Sequence, residues 1–109
     1  MTDLTAAEAV SSIEAGALLL DVREDFEWVE GHAPHAVHIP IGELGERVGE
    51  LPIDRTIVCI CHVGARSAMV SDALNRGGWT ALNVQGGMRA WAAAGYPVVD
   101  DTGGVGFID

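Results

Sequence analysis

The sequence predicts an α/β domain built on a parallel sheet with helices on both faces. Apolar runs of strand length, "ALLLDV" (17–22), "TIVCI" (56–60) and "ALNV" (81–84), alternate with stretches of helical periodicity. The runs are near-continuous rather than strictly alternating, which is the pattern of strands covered on both sides. A length of 109 residues fits one domain of common size, and a hydrophobic content of 49% argues against disorder.

Each element follows from its own residues. "TAAE" at Thr5 to Glu8 reads as a capping box, opening a helix with Ala6, Val10 and Ile13 on one face and a stop at Gly16. "ALLLDV" is the first buried strand. "EDFEWVEG" reads as a short helix ended at Gly31, and "AVHIP" as a short strand cut off by Pro40. Ile41, Leu44, Val48 and Leu51 then recur at helical spacing. "TIVCI" is the next strand, and Met69, Val70, Ala73 and Leu74 mark the helix after it. "ALNV" follows, and a last helix over 88–94 closes at Gly95 and Pro97. Residues 100–109, "DDTGGVGFID", read as a loosely held tail. No repeat or interdomain linker interrupts the pattern, so the expected organisation is a single domain over 1–109 with its core at about 5–99.

Charge narrows the function. The chain has six arginines, no lysine and sixteen acidic residues, a net charge of -10. Schiff-base and P-loop lysines are excluded, and there is little from which to build a basic face for nucleic acid. A small anion meets long-range repulsion, so any anion site must be local. "MTDLTAAEAV" lacks the basic and apolar regions of a signal peptide, and no apolar run approaches the roughly 20 residues of a membrane helix. Two cysteines, two positions apart, are not a disulfide framework; they suit a reducing cytosol, so the expected location is cytoplasmic.

The segment "IVCICHVGARSAMV" raises the chemical question. Cys61 lies where a strand ends, and a helix begins within a few residues, around Ala65 to Ser67. Ligands of parallel sheets bind beyond the carboxyl ends of strands, and the first amides of a helix lack intrahelical partners. If the loop His62, Val63, Gly64, Ala65, Arg66 and Ser67 curls around the sulfur, its N–H groups form an anion-binding nest. Such a setting lowers a cysteine pKa from about 8.5 to roughly 3.5–7.5, and the thiolate is the nucleophile. The carboxyl ends of "LLLDVR" and "IVCICH" are expected at the same sheet edge.

These motifs, "LLLDVRE", "EGHAPHAVHIP", "CHVGARS" and "VQGGMRAWAAAGYPV" in this order, resemble a single-domain rhodanese over about residues 5–99. The resemblance implies a three-layer domain whose central parallel sheet has about five strands. It also implies a sulfurtransferase: Cys61 takes a sulfane sulfur from thiosulfate or a persulfide and passes it to a thiol or cyanide. The loop residues 62–67 would contact the substrate, and no cofactor or metal is called for. The partners are then a small sulfur-donor anion and its acceptor, or, given the charge, a basic protein donor or acceptor. The alternative is a sulfur-relay or protein-binding module with little thiosulfate activity. Phosphatases and arsenate reductases of the same fold have a loop one residue longer before their arginine. Here four residues separate Cys61 from Arg66, and Ser67 occupies the phosphatase arginine position, so the cradle is smaller. Phosphatase chemistry is the less favoured reading.

The remaining residues have plainer expectations. Cys59 sits within its strand and reads as core packing, with a CxC redox pair as the minority option. Arg66 is expected to hold an anionic donor, or else to pair with an acid; His62 is a second donor or a solvated loop residue. Ser67 reads as a cap or loop contact, and Arg23, which follows Asp21 in the "DVR" motif, as pairing with an acid to hold a strand end. His32, His35 and His38 recur every third residue across a loop containing Pro34, a poor arrangement for metal. His35 stands where the resembled family carries a glycine. Gly86 and Gly87 form a turn rather than a dinucleotide fingerprint, and Trp28, Trp79 and Trp91 read as packing.

Overall fold

Each long apolar run becomes a strand and each amphipathic stretch a crossover. The computed structural model describes residues 3–109, in the order β1 (Asp3–Leu4), α1 (Ala6–Glu14), β2 (Leu18–Asp21), α2 (Asp25–Glu30), β3 (Val37–His38), α3 (Leu44–Arg47), β4 (Thr56–Ile60), α4 (Ala65–Arg76), β5 (Thr80–Val84) and α5 (Gly87–Ala93). All strand pairs are parallel, and the sheet order is β1-β5-β4-β2-β3. The register pairs Asp21 with Ile60, so β2 and β4 end level at one edge, as the two motifs require.

Side-chain alternation along β4 builds two cores. Ile57, Cys59 and, just beyond the strand, Cys61 pack with Leu44, Val70 and Leu74 on the α3 and α4 side. Val58 and Ile60 pack with Ala9, Met88 and Trp91 on the α1 and α5 side. That is the three-layer arrangement, with apolar burial on both faces as its main driving force. Thr5 and Glu8 form the capping box, Oγ1 accepting from the Glu8 N–H at 3.1 Å and Glu8 Oε1 from the Thr5 N–H at 2.9 Å. Such a cap contributes about 1 kcal/mol. Among the described residues no helix is long and apolar enough to cross a membrane.

Three local expectations change. Strand β1 has only two residues, too few for any periodic signal, yet it adds an edge strand beside β5. The 41–51 stretch is not one helix: 3-10 turns at Ile41–Glu43 and Val48–Glu50 flank a four-residue α-helical segment. Gly42, Gly45 and Gly49 lie within it, and glycine weakens helix interiors. The tail is held rather than loose. Asp100 Oδ1 accepts from the Thr102 and Gly104 N–H groups, turning the chain so that Gly106 donates to Val98 and Phe107 to Glu30. A Cβ on Gly106 would lie 2.6 Å from the Val99 carbonyl carbon and oxygen, so only glycine fits.

His35 adopts φ +64°, the left-handed region that costs a residue with a Cβ about 1–2 kcal/mol. His35→Gly should therefore raise stability by about 0.5–1 kcal/mol, after allowing for glycine's extra freedom when unfolded. A higher urea midpoint with an unchanged slope would show it.

Candidate active site

Strand β4 delivers Cys61 to the level edge, and the chain must then reverse into α4. Gly64 makes that turn with φ +108°, as the residue preceding the helix. Its N–H reaches Cys61 Sγ at 3.1 Å, and the Ser67 hydroxyl lies 3.3 Å from the same atom. Burial is the largest single influence on this thiol and pushes its pKa up. The Ser67 hydroxyl and the N–H groups of Ser67, Gly64 and Arg66 together outweigh it, so the net direction is down. Two donors thus lie within hydrogen-bond distance of the sulfur, one loop N–H and one side-chain hydroxyl.

The loop is locked from behind by the glycine turn at the start of α5. Met88 and Arg89 donate their N–H groups to the carbonyls of Cys61 and His62, at 2.7 and 3.1 Å. Gly87 packs against those carbonyls with φ +56°. Trp91, three residues beyond Met88, is buried and donates Nε1–H to the Pro97 carbonyl at 2.8 Å, anchoring α5.

The acid that Arg23 meets is Asp21, and both are buried. Nη2 lies 2.7 Å from Oδ2, and Nε contacts both carboxylate oxygens. Arg23 also donates to the Gly31 carbonyl at 2.7 Å, fixing α2 above the sheet edge. The carboxylate's oxygens are satisfied, so the pair sets geometry at the site.

Arg66 stands apart from the sulfur contacts. Its guanidinium meets Glu27 of α2 in a two-point pair, Nη1–Oε1 2.7 Å and Nη2–Oε2 2.9 Å. The hydrogen bonds from Arg66 bring the Glu27 pKa from 4.5 to about 2, against burial. Of the two roles expected for Arg66, the structure has the pairing with an acid. His62 Nε2 contacts the Asp109 carbonyl at 2.8 Å, while Val63 and Ala65 are exposed on the outside of the loop. His32 and His38 both stack nearly parallel on the Trp28 ring, at centroid distances of 3.6 and 4.6 Å, each with a ring nitrogen on a backbone carbonyl. Cys59 lies fully buried behind the sheet edge, its pKa pushed up to about 12 by burial and then by the neighbouring Cys61 charge.

Glu27 and Asn83 were not singled out by sequence. Glu27 is 39 positions from Arg66, and Asn83 is one polar residue inside a strand. Asn83 Oδ1 lies 2.5 Å from the Ser67 hydroxyl, and its amide donates to Asp3 at 3.2 Å. A hydroxyl has one hydrogen, so Asn83 and the Cys61 sulfur compete for it. Ser67→Ala removes the donor altogether. The titration of Cys61, followed by iodoacetamide reaction rate against pH, should then move to higher pH. The rate at neutral pH should fall by roughly five- to tenfold, the equivalent of one hydrogen bond of about 1–1.5 kcal/mol.

Comparison with known proteins gives a consistent result. The family model described as a rhodanese-like domain matches residues 5–94. A putative sulfurtransferase, YtwF, of Bacillus subtilis (strain 168) is 40% identical over 97 residues, covering 87% of this chain and 94% of the relative. A putative sulfur carrier protein, YrkF, of the same organism is 43% identical over 74 residues, 67% of this chain but only 40% of that protein. The crystal structure of a rhodanese-related protein from Thermoplasma volcanium superimposes with a TM-score of 0.85 at 37% identity, covering 91% of this chain and 98% of that one. A parallel sheet with a cysteine cradle at its carboxyl edge, matched over nearly the whole chain, leaves one assignment: the chain belongs to the rhodanese-like domain family.

Proposed function

We propose that the protein is a sulfurtransferase that carries sulfane sulfur as a persulfide on Cys61. Family membership and the names of its relatives support sulfur transfer in general. The observation that carries the finer reading is the convergence of the Gly64 N–H and the Ser67 hydroxyl on Cys61 Sγ. In the first half-reaction the Cys61 thiolate attacks the outer sulfur of the donor. The S–S bond of thiosulfate breaks and sulfite leaves with its electron pair; with an organic persulfide the thiol leaves. Cys61 then bears a persulfide anion, and the donors that held the thiolate hold the added sulfur. In the second half-reaction a thiol or cyanide attacks that outer sulfur and Cys61 departs as the thiolate.

The shorter loop supports this over phosphoryl transfer. Ser67 places a buried hydroxyl, not a guanidinium, on the sulfur, and the guanidinium of Arg66 is turned to Glu27. The pairing of Arg66, with a net charge of -10, favours a protein-borne persulfide over thiosulfate as the natural donor, and a basic protein partner in a reducing, cytoplasmic setting. Intact mass spectrometry after mixing with thiosulfate tests the reading. The expected product is the chain plus one sulfur atom, lost again on adding cyanide or a reducing thiol. A mass that never changes with thiosulfate or with an organic persulfide removes the proposal.

A further inference from the structure

We propose that Glu27 sets the charge preference of the site: by closing a two-point pair on Arg66 it cancels the loop's cation and turns Cys61 away from dianionic sulfur donors. This rests on the sulfurtransferase reading for the identity of the donor, though the electrostatic claim is measurable without it.

The geometry isolates the effect to one pair. Both guanidinium Nη groups are matched to both carboxylate oxygens, so the charge is met at short range rather than merely screened. Arg66 belongs to the loop over the sulfur, adjacent in the chain to Ser67, whose hydroxyl lies 3.3 Å from Cys61 Sγ, and the Cys61 charge helps to hold the guanidinium's proton. Glu27 is itself fixed: its Oε1 accepts from the Glu24 N–H at 3.0 Å, closing a capping box, and its carbonyl accepts from Arg23 Nη1. The carboxylate is therefore held in place by α2. The neighbouring pocket of about 140 Å³ contains two more acidic side chains, Glu30 and Asp109, beside Glu27 and His62. Its Arg23 is committed to Asp21. An incoming thiosulfate thus meets a neutral ion pair with acids around it. A persulfide on a neutral or basic carrier brings at most one negative charge of its own and meets a smaller penalty.

Charge accounting gives predictions of opposite sign. Relative to the wild-type pair, Glu27→Gln leaves one positive charge beside the sulfur, Arg66→Gln leaves one negative charge, and the double variant leaves none. Glutamine at position 27 keeps an oxygen for the Glu24 N–H, so the cap survives. The probes are iodoacetate and iodoacetamide, which alkylate the same thiolate but differ in charge. Their rate ratio reads the local potential because the thiolate fraction cancels in it, and circular dichroism with the urea midpoint reports whether the fold is intact. Glu27→Gln should raise the iodoacetate-to-iodoacetamide ratio by about tenfold, Arg66→Gln should lower it, and the double variant should return near wild type; one unit charge at a partly buried site is sufficient for an effect of this order. The KM for thiosulfate should fall with Glu27→Gln, and by more than the KM for a persulfide without other ionisable groups. An unchanged ratio in Glu27→Gln, or shifts of the same sign in both single variants, overturns the proposal. If the ratios shift as stated but no variant accepts sulfur, the control by Glu27 stands and the sulfurtransferase reading falls.

Discussion

Cys61→Ser should lose sulfur transfer by more than about a thousandfold while keeping its fold. Transfer requires a sulfur nucleophile that can form and release a bond to another sulfur, and a serine hydroxyl supplies neither the polarisability nor the acidity. The side chain is nearly isosteric, and the N–H of Gly64 can donate to an oxygen as to a sulfur. Circular dichroism and the urea midpoint should therefore stay near wild type, with activity assayed against both thiosulfate and an organic persulfide. Cys59 offers no substitute, since it is fully buried and keeps its proton to about pH 12. Appreciable residual transfer in the serine variant would mean that the sulfur travels through Cys59.

Gly87→Ala should damage stability and activity together. A Cβ there would lie 2.4 Å from the Cys61 carbonyl oxygen and 2.6 Å from the His62 carbonyl carbon and oxygen. These are backbone atoms and cannot rotate aside. The same two carbonyls accept the Met88 and Arg89 N–H groups, so relief of the clash breaks the lock on the loop. Overpacking costs about 1–3 kcal/mol, each lost hydrogen bond about 1 kcal/mol, and the positive φ adds a further contribution. A total of about 4–7 kcal/mol is expected, read from denaturant melts. Gly16→Ala is the control, because Gly16 has φ +111° and no atom within 4 Å of its would-be Cβ. It pays the backbone strain alone. If Gly87→Ala is no worse than Gly16→Ala, the contact with the loop does not matter. The fraction that still folds should react slowly at Cys61, because the displaced loop aims its N–H groups elsewhere.

What the sequence made legible was whatever depended on neighbours in the chain. The Thr5–Glu8 cap, the apolar strands, the turn at Gly64 and the position of Cys61 at a strand end all follow from a few consecutive residues. That Arg23 would meet an acid was legible, but that the acid is Asp21, two positions back on the same strand end, came from the fold. Arg66 was half legible: its place in the loop was clear, but its partner lies across the fold on α2. Asn83 was hidden because its role comes from β5 running beside β4, which sets it opposite Ser67. The 41–51 stretch had the right apolar spacing for a helix, but three glycines broke the backbone continuity that spacing cannot report. The tail was misread because its turn is made by an Asp100 side chain and by the close approach of Gly106, neither of which is periodic.

The two thiols of β4 and its loop differ in a way that gives the molecule an internal clock. Cys59 stays sealed and protonated between sheet and helix, whereas Cys61 lies at the strand's end under a short loop whose Val63 and Ala65 are exposed. A neutral alkylating reagent should therefore add once to the native chain at moderate pH and a second time only when the α4 side of the sheet opens. Counting doubly labelled molecules over time would measure how often that layer parts, with no dye, tag or mutation introduced.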